Sequence, residues 1–587
     1  MTKPKIITMT KDYCDYLRDE SRKVGKAATI SFPQSEEEII NTIKLFSARN
    51  EKITIQGART GITAGAVPDG GHILNLEKMD KITGLRCENG KFILSVQPGV
   101  KLIDLRKAIS KKNFDTSQWS VKSIETLEKM KKAGDFFFPP DPTETTASIG
   151  GMVACNASGA RSFYYGSTRK YVQGLSIILS DGTKLRITRN NQKADGYFFT
   201  LETDTGRIIK SEVPKYQMPK VKNASGYFAC KDMDLIDLFI GSEGTLGVIT
   251  EIDILLIKKP RYTWGGLFFF NNEDDAIDFV NCLRGDMNYL RSDIFHNSAA
   301  AEATNACNNS TNACNKSAAT YEISAASQQK DFQKESFESY IDLSYAHVNS
   351  NSSFKLVAIE YFDSNSLELL RKQKRDSGSF TKIPDIKPEY NTAIYVEFDD
   401  DCEEAIADSM IEAAKRAQLC NGKEEDNWIA HTPQLMEQMK FFRHAVPEAV
   451  NSIIDQRRKI DPGITKLGTD MAVPDDKLKE VIRMYRSDLE KNNFEFVMFG
   501  HIGNNHIHVN ILPRSMEEYI RGKELYRKWA EKILSEGGTI SAEHGIGKLK
   551  NEFLELMYGS AGMEEMLKVK KALEPKFILN QGNLFNV

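Results

Sequence analysis

The sequence predicts an α+β protein of two or three domains. With 587 residues, the chain is too long for one small core. Amphipathic helical patterns alternate with short β-rich runs, and no internal repeat is evident, which argues against a repeat array. The first helix shows the pattern: Ser35 precedes three glutamates and apolar residues at Ile39, Ile40, Ile43 and Phe46, as in a capped helix.

Composition narrows the class of protein. Hydrophobic residues make up 41% and charged residues 27%, as in ordinary globular proteins, and the net charge of −3 gives no argument for a nucleic-acid partner. Neither a leader with an apolar region nor a run near the ~20 apolar residues of a spanning helix is evident. The nine cysteines form no C-x-x-C pair, which argues against an iron–sulfur cluster. We expect a cytoplasmic protein without a transmembrane segment.

A glycine-rich loop follows the first predicted strand. The stretch Thr54 to Pro68, TIQGARTGITAGAVP, carries Gly57, Gly61 and Gly65 at a spacing of four. Glycine admits close approach of backbone N–H groups to a ligand, so the loop fits an anion cradle, although such a loop is by itself more often just a turn. It has neither a Walker Lys-Ser/Thr pair nor the spacing of a dinucleotide fold.

The chain then alternates strands, turns and small-residue stretches. HILNLEKMDKI and KFILSVQPGV are predicted strands, followed by a turn at Pro98-Gly99 and a helix from about Leu102. The stretch from Phe137 to Gly182 is dense in Gly, Ser, Ala and Pro before a predicted strand and a turn at Asp181-Gly182. Such small-residue runs are usually loops, and this one leaves room for a large planar ligand. A second such patch, KNASGYFA, leads into a β-rich run ending at Ile257, and we place a domain boundary at 258–260.

The second half contains a low-complexity insertion and a set of polar motifs. Residues 298–327 are rich in Ala, Asn and Ser and are predicted to form a poorly packed surface insertion. Strands and amphipathic helices follow in FKLVAIEYFDSNSLELLR and NTAIYVEFDDDCEEAIADSMIEAAKRA. The last quarter contains GHIGNNHIHVNILP, GGTISAEHGIGKLKNEFLELM and LEPKFILNQGNLF.

Four of the nine histidines lie in two short segments of this last quarter: His501, His506, His508 and His544. FVMFGHIGNNHIHVNIL predicts two strands joined by a turn, which can bring His501 back towards His508. Two imidazoles with the carboxylate of Glu543 are a common divalent-metal set that leaves positions open for substrate. The alternative is that these histidines cap turns or satisfy one another.

Six segments together resemble the FAD-linked oxidases of the vanillyl-alcohol oxidase superfamily, in the branch of D-lactate, glycolate and D-2-hydroxyglutarate dehydrogenases. They are TIQGARTGITAGAVP, PPDPTETTASIGGMVACNASGARSFYYG, KNASGYFACKDMDLIDLFIGSEGTLGVIT, GHIGNNHIHVN, SAEHGIG and ILNQGNLF, and they occur in the family's order. The resemblance implies a lead-in at 1–21, a PCMH-type FAD-binding domain of two α+β subdomains at 22–258, and an α+β substrate or cap domain at 259–587. The carboxy-terminal segment of the cap domain would return to the flavin.

The resemblance also implies which residues contact FAD. We expect the FAD to be non-covalent, because no histidine lies in the glycine loop or in Ala147 to Tyr165. The implied cofactor-binding residues are Gln56, Gly57, Ala58, Arg59, Thr60, Gly61, Pro142, Ser148, Gly151, Asn156, Gly159, Glu243, Gly244, Ile249 and Asn580. Relatives generally have a small residue where this chain has Arg59. Its guanidinium could face a pyrophosphate or a surface carboxylate.

By the same resemblance, His501, His508 and Glu543 would hold a zinc-like divalent metal, His544 would be the base, and Asn510 would complete the site. The family pattern GHxGDGNxHxN is altered here: Asn504 replaces Asp, and His506 occupies the usual Asn position. His506 could therefore add a ligand or contact substrate.

The implied reaction is oxidation of a D-2-hydroxy acid with hydride transfer to flavin N5. The substrate carboxylate needs a cation, and Arg443 lies where relatives place a substrate arginine. The alternative for Arg443 is a helix-surface salt bridge. Lys466 is a second choice for the carboxylate. An electron-transfer flavoprotein or a quinone would accept the electrons, and the chain could form a homodimer. Two rivals remain open: a redox-neutral flavoenzyme resembling alkylglycerone-phosphate synthase, and a non-catalytic flavin electron-transfer subunit.

Overall fold

The computed structural model describes residues 4–285, 355–377, 383 and 385–586. The insertion predicted at 298–327 lies outside the described residues. Helices and strands are mixed along the chain, which confirms the α+β class. In the described part of the chain, no helix combines the length and the apolar composition needed to cross a membrane.

The strands and helices are numbered in chain order. The strands are β1 Ile7–Thr8, β2 Thr29–Ser31, β3 Ile53–Gln56, β4 His72–Asn75, β5 Ile82–Glu88, β6 Lys91–Val96, β7 Phe136–Phe137, β8 Val172–Ile178, β9 Lys184–Thr188, β10 Phe198–Glu202, β11 Ile208–Glu212, β12 Val248–Lys258, β13 Tyr262–Phe270, β14 Leu356–Phe362, β15 Thr392–Asp400, β16 Trp428–Ala430, β17 Leu467–Gly468, β18 Phe496–His501 and β19 His506–Ile511. The α-helices are α1 Glu36–Ala48, α2 Leu102–Lys111, α3 Val121–Ala133, α4 Ile149–Ala154, α5 Ser162–Tyr165, α6 Ile236–Phe239, α7 Glu273–Leu283, α8 Ser364–Ser377, α9 Glu403–Leu419, α10 Pro433–Arg458, α11 Leu478–Lys491, α12 Met516–Ser535 and α13 Asn551–Leu573.

The amino-terminal half contains two main sheets. The first has the order β1-β2-β4-β3, with parallel pairing of β2 with β4 and of β4 with β3. The second has the order β5-β6-β12-β8-β9, and β7 also pairs with β12. Strands β10 and β11 form a separate hairpin. The long central strand β12 therefore organises the second sheet, while the glycine loop lies between β3 and β4 of the first.

Local chemistry explains the elements near the glycine loop. The Ser35 hydroxyl accepts a hydrogen bond from the Glu38 amide at 3.3 Å, so the predicted cap of α1 is present. The run HILNLEKMDKI is not one strand, because β4 ends at Asn75. The Asn75 side chain accepts a hydrogen bond from the Glu77 amide at 2.9 Å, and this turn stops the strand before β5 begins.

The small-residue stretch from Phe137 to Gly182 contains more helix than its composition predicts. Ser148 caps the short helix α4, its hydroxyl accepting from the Gly151 amide at 3.3 Å, and α5 follows it. The expectation of loops in the small-residue part of this stretch is therefore wrong at α4 and α5. A serine cap with small following residues allows a helix to form where Gly and Ala alone suggest a loop.

The second half is built on one seven-stranded sheet of order β16-β13-β15-β14-β18-β19-β17. Strands β18 and β19 form an antiparallel hairpin in which His501 lies directly opposite His506. The buried apolar core runs without interruption from the β6-β12-β8 strands into this sheet. A second apolar cluster lies between α10 and the sheet.

The end of the chain packs against the amino-terminal half. Ile578 and Leu579 join the apolar cluster formed by α1, β3 and β4. The Ile53 amide donates to the Ile578 carbonyl at 2.8 Å, and the Asn580 amide donates to the Ile53 carbonyl at 2.9 Å. The carboxy-terminal segment thus extends the first sheet beside the glycine loop.

Candidate active site

A single cavity of about 970 Å³ connects the glycine loop, the face of the β18-β19 hairpin and the SAEHGIG loop. The cavity is lined by fifteen of the predicted cofactor-binding or catalytic residues, by the three predicted metal ligands and by Lys466. Three predicted cofactor-binding residues do not line it: Gln56, Asn156 and Gly159. The fifteen that do are Gly57, Ala58, Arg59, Thr60, Gly61, Pro142, Ser148, Gly151, Glu243, Gly244, Ile249, Asn580, Arg443, Asn510 and His544, and the metal ligands are His501, His508 and Glu543. Groups that are far apart in sequence therefore face one shared space.

The glycine loop is packed tightly on the start of α4. A Cβ at Gly57 would lie 2.2 Å from the Ser148 hydroxyl oxygen, whereas one at Gly61 would meet no atom within 4 Å. The Ala58 amide donates to the same hydroxyl at 3.3 Å. A side chain at Gly57 would thus displace the hydroxyl that caps α4, while Gly61 faces open space at the cavity wall.

Arg59 has local partners within the amino-terminal half. Its guanidinium lies 4.1 Å from the centre of the Tyr16 ring, and its Nη1 lies 3.9 Å from a Glu77 oxygen. The backbone at Arg59 adopts a φ of +60°. The side chain therefore stays beside the loop it belongs to, in the cavity wall.

Three of the residues predicted to contact FAD serve the fold instead of lining the cavity. The Gln56 amide nitrogen donates to the carbonyls of Tyr16 and Ala66, both at 2.8 Å, and so braces the glycine loop. The Asn156 oxygen accepts from the Arg169 amide at 3.0 Å. A Cβ at Gly159 would lie 1.8 Å from a carbonyl oxygen, so this glycine permits close packing of two backbone segments.

The carboxy-terminal segment forms a further part of the wall, beside the glycine loop. The Asn580 amide nitrogen donates to the Glu243 carbonyl at 2.7 Å, and its oxygen accepts from the Ile55 amide at 2.7 Å. The Glu243 carboxylate accepts from the amides of Ile546 and Gly547 at 2.7 and 2.8 Å. Glu243 therefore ties the amino-terminal half to the SAEHGIG loop.

Three histidines and one glutamate converge on the β18-β19 hairpin. Nε2 of His501 and Nε2 of His508 each lie 3.3 Å from the Glu543 carboxylate, and Nδ1 of His506 lies 3.9 Å from it. One ligand atom from each of these four residues lies within 4.8 Å of the others. The Lys222 ammonium donates to Glu543 Oε2 at 2.7 Å.

Buried charges around this cluster shift its pKa values. Burial lowers the pKa of His501, but Glu360 and Glu543 outweigh it and raise that pKa to about 9. Burial lowers the pKa values of His506 and His508. Burial raises the pKa of Glu543, but Lys222 and His501 outweigh it and hold that pKa well below its ordinary value. Glu543 is therefore an anion that attracts cations to this point.

His544 is oriented by a carboxylate that sequence reasoning missed. Asp470 Oδ2 accepts the His544 backbone amide at 3.0 Å and lies 3.3 Å from the His544 Nδ1. It also accepts from the Lys550 ammonium at 2.7 Å and the Ser541 hydroxyl at 2.6 Å. Burial lowers the pKa of His544, but Asp470 outweighs it, so the pKa is raised overall. His544 Nε2 lies 3.3 Å from Glu543, at the metal cluster.

Glu360 is another missed residue, and one signal could have found it. It is a carboxylate within the otherwise apolar run LVAIEYF, and it is 4% exposed. Its Oε1 lies 2.7 Å from Nδ1 of His501. A charged side chain in the middle of a buried strand usually has a partner, which is here a histidine ring.

Arg443 lies in α10 and lines the cavity with its side chain 10% exposed. Its nearest carboxylates are Asp141 at 3.8 Å and Glu397 at 3.9 Å, and its Nη1 has no hydrogen-bond partner among the described residues. Lys466 also lines the cavity, and burial, aided by Arg22, lowers its pKa. A helix-surface salt bridge does not describe Arg443, because the guanidinium is buried.

The cavity suits a large ligand with a polar chain, as FAD requires. Its walls carry small residues on two loops, and buried polar atoms face it without a hydrogen-bond partner among the described residues. These include Ser158 Oγ, Arg443 Nη1 and Asn510 Nδ2. The histidine–carboxylate cluster likewise offers the nitrogen and oxygen donors that borderline divalent metals prefer. The residues present therefore fit both groups.

Two family models match the chain in succession. "FAD binding domain" matches residues 27–123 and 122–188, and "FAD linked oxidases, C-terminal domain" matches residues 334–584. A D-lactate dehydrogenase of Anaerostipes hadrus is 26% identical over 580 residues, covering 97% of this chain and 92% of that protein. Glycolate oxidase subunit GlcD of Bacillus subtilis is 25% identical over 558 residues, covering 94% and 88%. A D-2-hydroxyglutarate dehydrogenase of Xanthomonas citri pv. viticola is 23% identical over 606 residues, covering 100% and 98%.

Among solved structures, an alkyldihydroxyacetonephosphate synthase superposes with a TM-score of 0.53 at 14% identity, covering 95% of this chain and 76% of that chain. At this identity the likeness shows the fold alone. The match to the FAD-binding domain and the named relatives identify the chain as an FAD-dependent oxidoreductase. The chain belongs to the FAD-linked oxidase family, in the branch that contains the D-lactate and D-2-hydroxyglutarate dehydrogenases.

Proposed function

We propose that this protein oxidises a D-2-hydroxy acid to the 2-oxo acid. One observation carries the proposal: Arg443, His544 and the His501–His508–Glu543 cluster face the same cavity as Ile249 and the glycine loop. The reaction needs a cation for the substrate carboxylate, a group that polarises the hydroxyl, and a base. This cavity offers at least one candidate for each role. The names of the relatives support the D-2-hydroxy acid class.

Non-covalent FAD would occupy the long part of the cavity. The loop Gly57 to Gly61 and the capped start of α4 would hold its pyrophosphate through backbone amides, and Ile249 and Asn580 would adjoin its ring system. When bound, FAD supplies the hydride acceptor of the reaction. The protein's part is to exclude water and to align the substrate carbon, which the apolar wall at Ile249 favours.

A zinc-like divalent metal would be held by His501, His508 and Glu543. Such a cation supplies polarisation of a hydroxyl oxygen, which lowers the pKa of the hydroxyl. Outer partners support these ligands: His501 Nδ1 lies 2.7 Å from Glu360, and His508 Nδ1 lies 3.0 Å from the Thr469 carbonyl. Both bonds leave Nε2 directed at Glu543, as in metal-binding histidines.

Arg443 would bind the substrate carboxylate. Its guanidinium is buried, and its two carboxylate neighbours stand nearly 4 Å away. Nη2 lies 3.2 Å from His444 Nε2, while Nη1 has no hydrogen-bond partner among the described residues and would donate to the substrate carboxylate. Asn510, on the same face of β19 as His508, has an amide nitrogen without a partner among the described residues. It would donate to a substrate oxygen. Lys466 remains the second candidate for the carboxylate.

His544 would remove the hydroxyl proton. The nearby Asp470 carboxylate favours Nδ1 as the protonated nitrogen, so Nε2 would be the base atom. Nε2 lies 3.3 Å from the carboxylate of Glu543, which is one of the proposed metal ligands. The imidazolium that forms would be stabilised by Asp470, because the carboxylate is buried and anionic.

The remaining parts of the proposal concern organisation. The FAD-binding domain would span 22–258 and the substrate domain 259–587, with 1–21 as a lead-in. An electron-transfer flavoprotein or a quinone would reoxidise the protein, and we propose a cytoplasmic protein that is able to form a homodimer.

An anaerobic absorbance titration tests the reaction class. The purified protein, with its metal content assayed, is mixed with D- and L-lactate, glycolate, malate and D- and L-2-hydroxyglutarate. We expect one D-enantiomer to bleach the flavin band near ~450 nm while its L-enantiomer does not. If no acid reduces the flavin after metal is restored, the dehydrogenase proposal fails and the redox-neutral or electron-transfer rivals take its place.

A further inference from the structure

We infer that His506 is a fourth protein ligand of the divalent cation, so that three imidazoles and the Glu543 carboxylate hold it. The inference rests on the proposed function, because it concerns the metal that function requires. The inference goes beyond the proposed function because it assigns a role to His506, the histidine that stands where the family pattern has asparagine. The site of this chain would then differ in ligand number from a set of two histidines and one carboxylate.

The hairpin brings the three rings together by its register. His501 on β18 pairs directly with His506 on β19, and His508 is two residues further along β19. Directly opposite side chains in an antiparallel pair have Cβ atoms about 4.5–5.5 Å apart, and residues two apart share a face. The ring centres of His506 and His501 are 5.4 Å apart, and those of His506 and His508 are 4.3 Å apart. The three imidazoles therefore form one continuous patch.

Each of the three rings has one nitrogen beside an oxygen outside the cluster. For His501 this is a Glu360 oxygen at 2.7 Å, and for His508 it is the Thr469 carbonyl at 3.0 Å. For His506, Nε2 lies 3.1 Å from Asp470 Oδ1, although the pair does not have hydrogen-bonding geometry. An outer oxygen partner on the nitrogen that does not face the metal is the common arrangement of ligating histidines.

The other three nitrogens converge on Glu543. Their distances to its oxygens are 3.3, 3.3 and 3.9 Å for His501, His508 and His506. With metal–ligand bonds of about 2.0–2.1 Å, neighbouring ligands of a tetrahedral site lie about 3.3–3.4 Å apart. Two of the three separations match, and a ring movement of about 0.5 Å brings His506 to the same value.

Lys222 offers a rival explanation for His506. Its ammonium lies 3.5 Å from Nδ1 of His506, so the ring could simply accept a hydrogen bond. That distance is at the limit for a hydrogen bond, whereas the bond from Lys222 to Glu543 Oε2 is 2.7 Å. Lys222 thus pairs with Oε2, the oxygen that lies 3.9 Å from His506 Nδ1, while Oε1 faces His508 and His544. Ligation by His506 therefore requires the cation to compete with the Lys222 ammonium on that side of the carboxylate.

The ligand set has a consequence for metal choice. Three imidazoles favour Zn²⁺ and the late first-row metals over Mg²⁺ and Ca²⁺, which prefer oxygen ligands. Four protein ligands also fill a tetrahedral shell. A substrate oxygen could then bind only if the cation accepts a fifth ligand, as zinc does in some transition states.

Metal-binding measurements on full-length protein test the inference without relying on turnover. The protein is stripped of metal and titrated with Co²⁺, and X-ray absorption counts the imidazoles around the bound ion. We compare the parent with His506→Asn, which introduces the family residue, with His508→Asn as a reference for ligand loss, and with His431→Asn as a control at an exposed histidine. The count in the parent stands even if a variant fails to fold.

We expect three imidazoles in the parent and two in His506→Asn. The Co²⁺ affinity of that variant should fall by more than ~100-fold, beyond the 10–100-fold typical of an outer partner. His431→Asn should bind as the parent does. Two imidazoles in the parent, or a smaller loss of affinity in His506→Asn with the count unchanged, would overturn the inference while leaving the proposed function intact. A parent that binds no divalent cation would overturn it together with the proposed metal.

Discussion

Replacing Asp470 with asparagine separates the stability of the SAEHGIG loop from its chemistry. The Oδ2 atom accepts three hydrogen bonds, from the Lys550 ammonium, the Ser541 hydroxyl and the His544 amide. Oδ1 accepts from the Glu543 amide at 3.2 Å. An asparagine keeps the shape, but it puts an N–H group against donors on one side and removes the negative charge.

The expected loss of stability in Asp470→Asn follows from these hydrogen-bond partners. Breaking a buried ion pair by removing one member costs about 3–5 kcal/mol, because the other charge stays buried and uncompensated. The Lys550 side chain is 11% exposed and would be left in that state. The His544 ring would lose the carboxylate beside Nδ1, so its Nε2 would no longer be held as the base atom. We expect flavin reduction to slow by at least ~100-fold.

Thermal unfolding and stopped-flow flavin reduction measure the two effects separately. The matched variant is Asp470→Asn/Lys550→Met, in which both charges are removed. We expect Asp470→Asn to unfold at a clearly lower temperature than the parent, and the double variant to regain much of that loss. Flavin reduction should stay slow in both variants, because neither has the carboxylate that orients His544.

Two results would refute this reasoning. Flavin reduction at the parental rate in Asp470→Asn would show that the carboxylate does not orient the base. A double variant no more stable than Asp470→Asn would show that the buried Lys550 charge is not the source of the lost stability. The FAD content of each variant is measured first, so that loss of the cofactor is not taken for a slow reaction.

Four further predictions address single features of the site. His544→Asn should keep FAD but slow flavin reduction by at least ~100-fold in stopped-flow measurements, and a normal rate would remove His544 from the mechanism. Arg443→Met should raise the substrate KM at least ~10-fold through loss of about 1.5–3 kcal/mol of charge-assisted bonding, whereas an unchanged KM would assign Arg443 a structural role. Gly57→Ala should reduce FAD content and thermal stability, because its Cβ would lie 2.2 Å from a serine hydroxyl. Gly61→Ala should retain stability, because its Cβ would meet no atom within 4 Å. An equal loss of stability in both variants would contradict the packing argument. Burial raises the pKa of Asp141, but Arg443 and Arg106 outweigh it and hold that pKa at about 2. Asp141 should therefore contribute about 2 kcal/mol to the free energy of unfolding above pH ~4, and this contribution should be lost as the pH falls to ~2. Denaturant unfolding of Asp141→Asn at several pH values checks this, and an unchanged acid limb would contradict it.

Patterns that are local in sequence predicted much of the fold and part of the candidate site. The alternation of helices and strands, the cap at Ser35 and the hairpin that returns His501 towards His508 all depend on residues close together in the chain. For the same reason the glycine loop and the SAEHGIG loop could be recognised as parts of a site. Local composition misled where a serine cap built the short helix α4 within a stretch read as loop.

The partners of the site residues were decided by the tertiary structure. Lys222 and His506 are 284 positions apart, and Glu360 and His501 are 141 apart, so no local pattern links them. The side chains of Gln56 and Asn156 lie within predicted cofactor motifs, yet they form hydrogen bonds with backbone groups of other segments, and neither residue lines the cavity. A sequence determines which groups a loop or strand carries. Long-range packing decides which atoms those groups face, and that choice sets charge, orientation and ligand number.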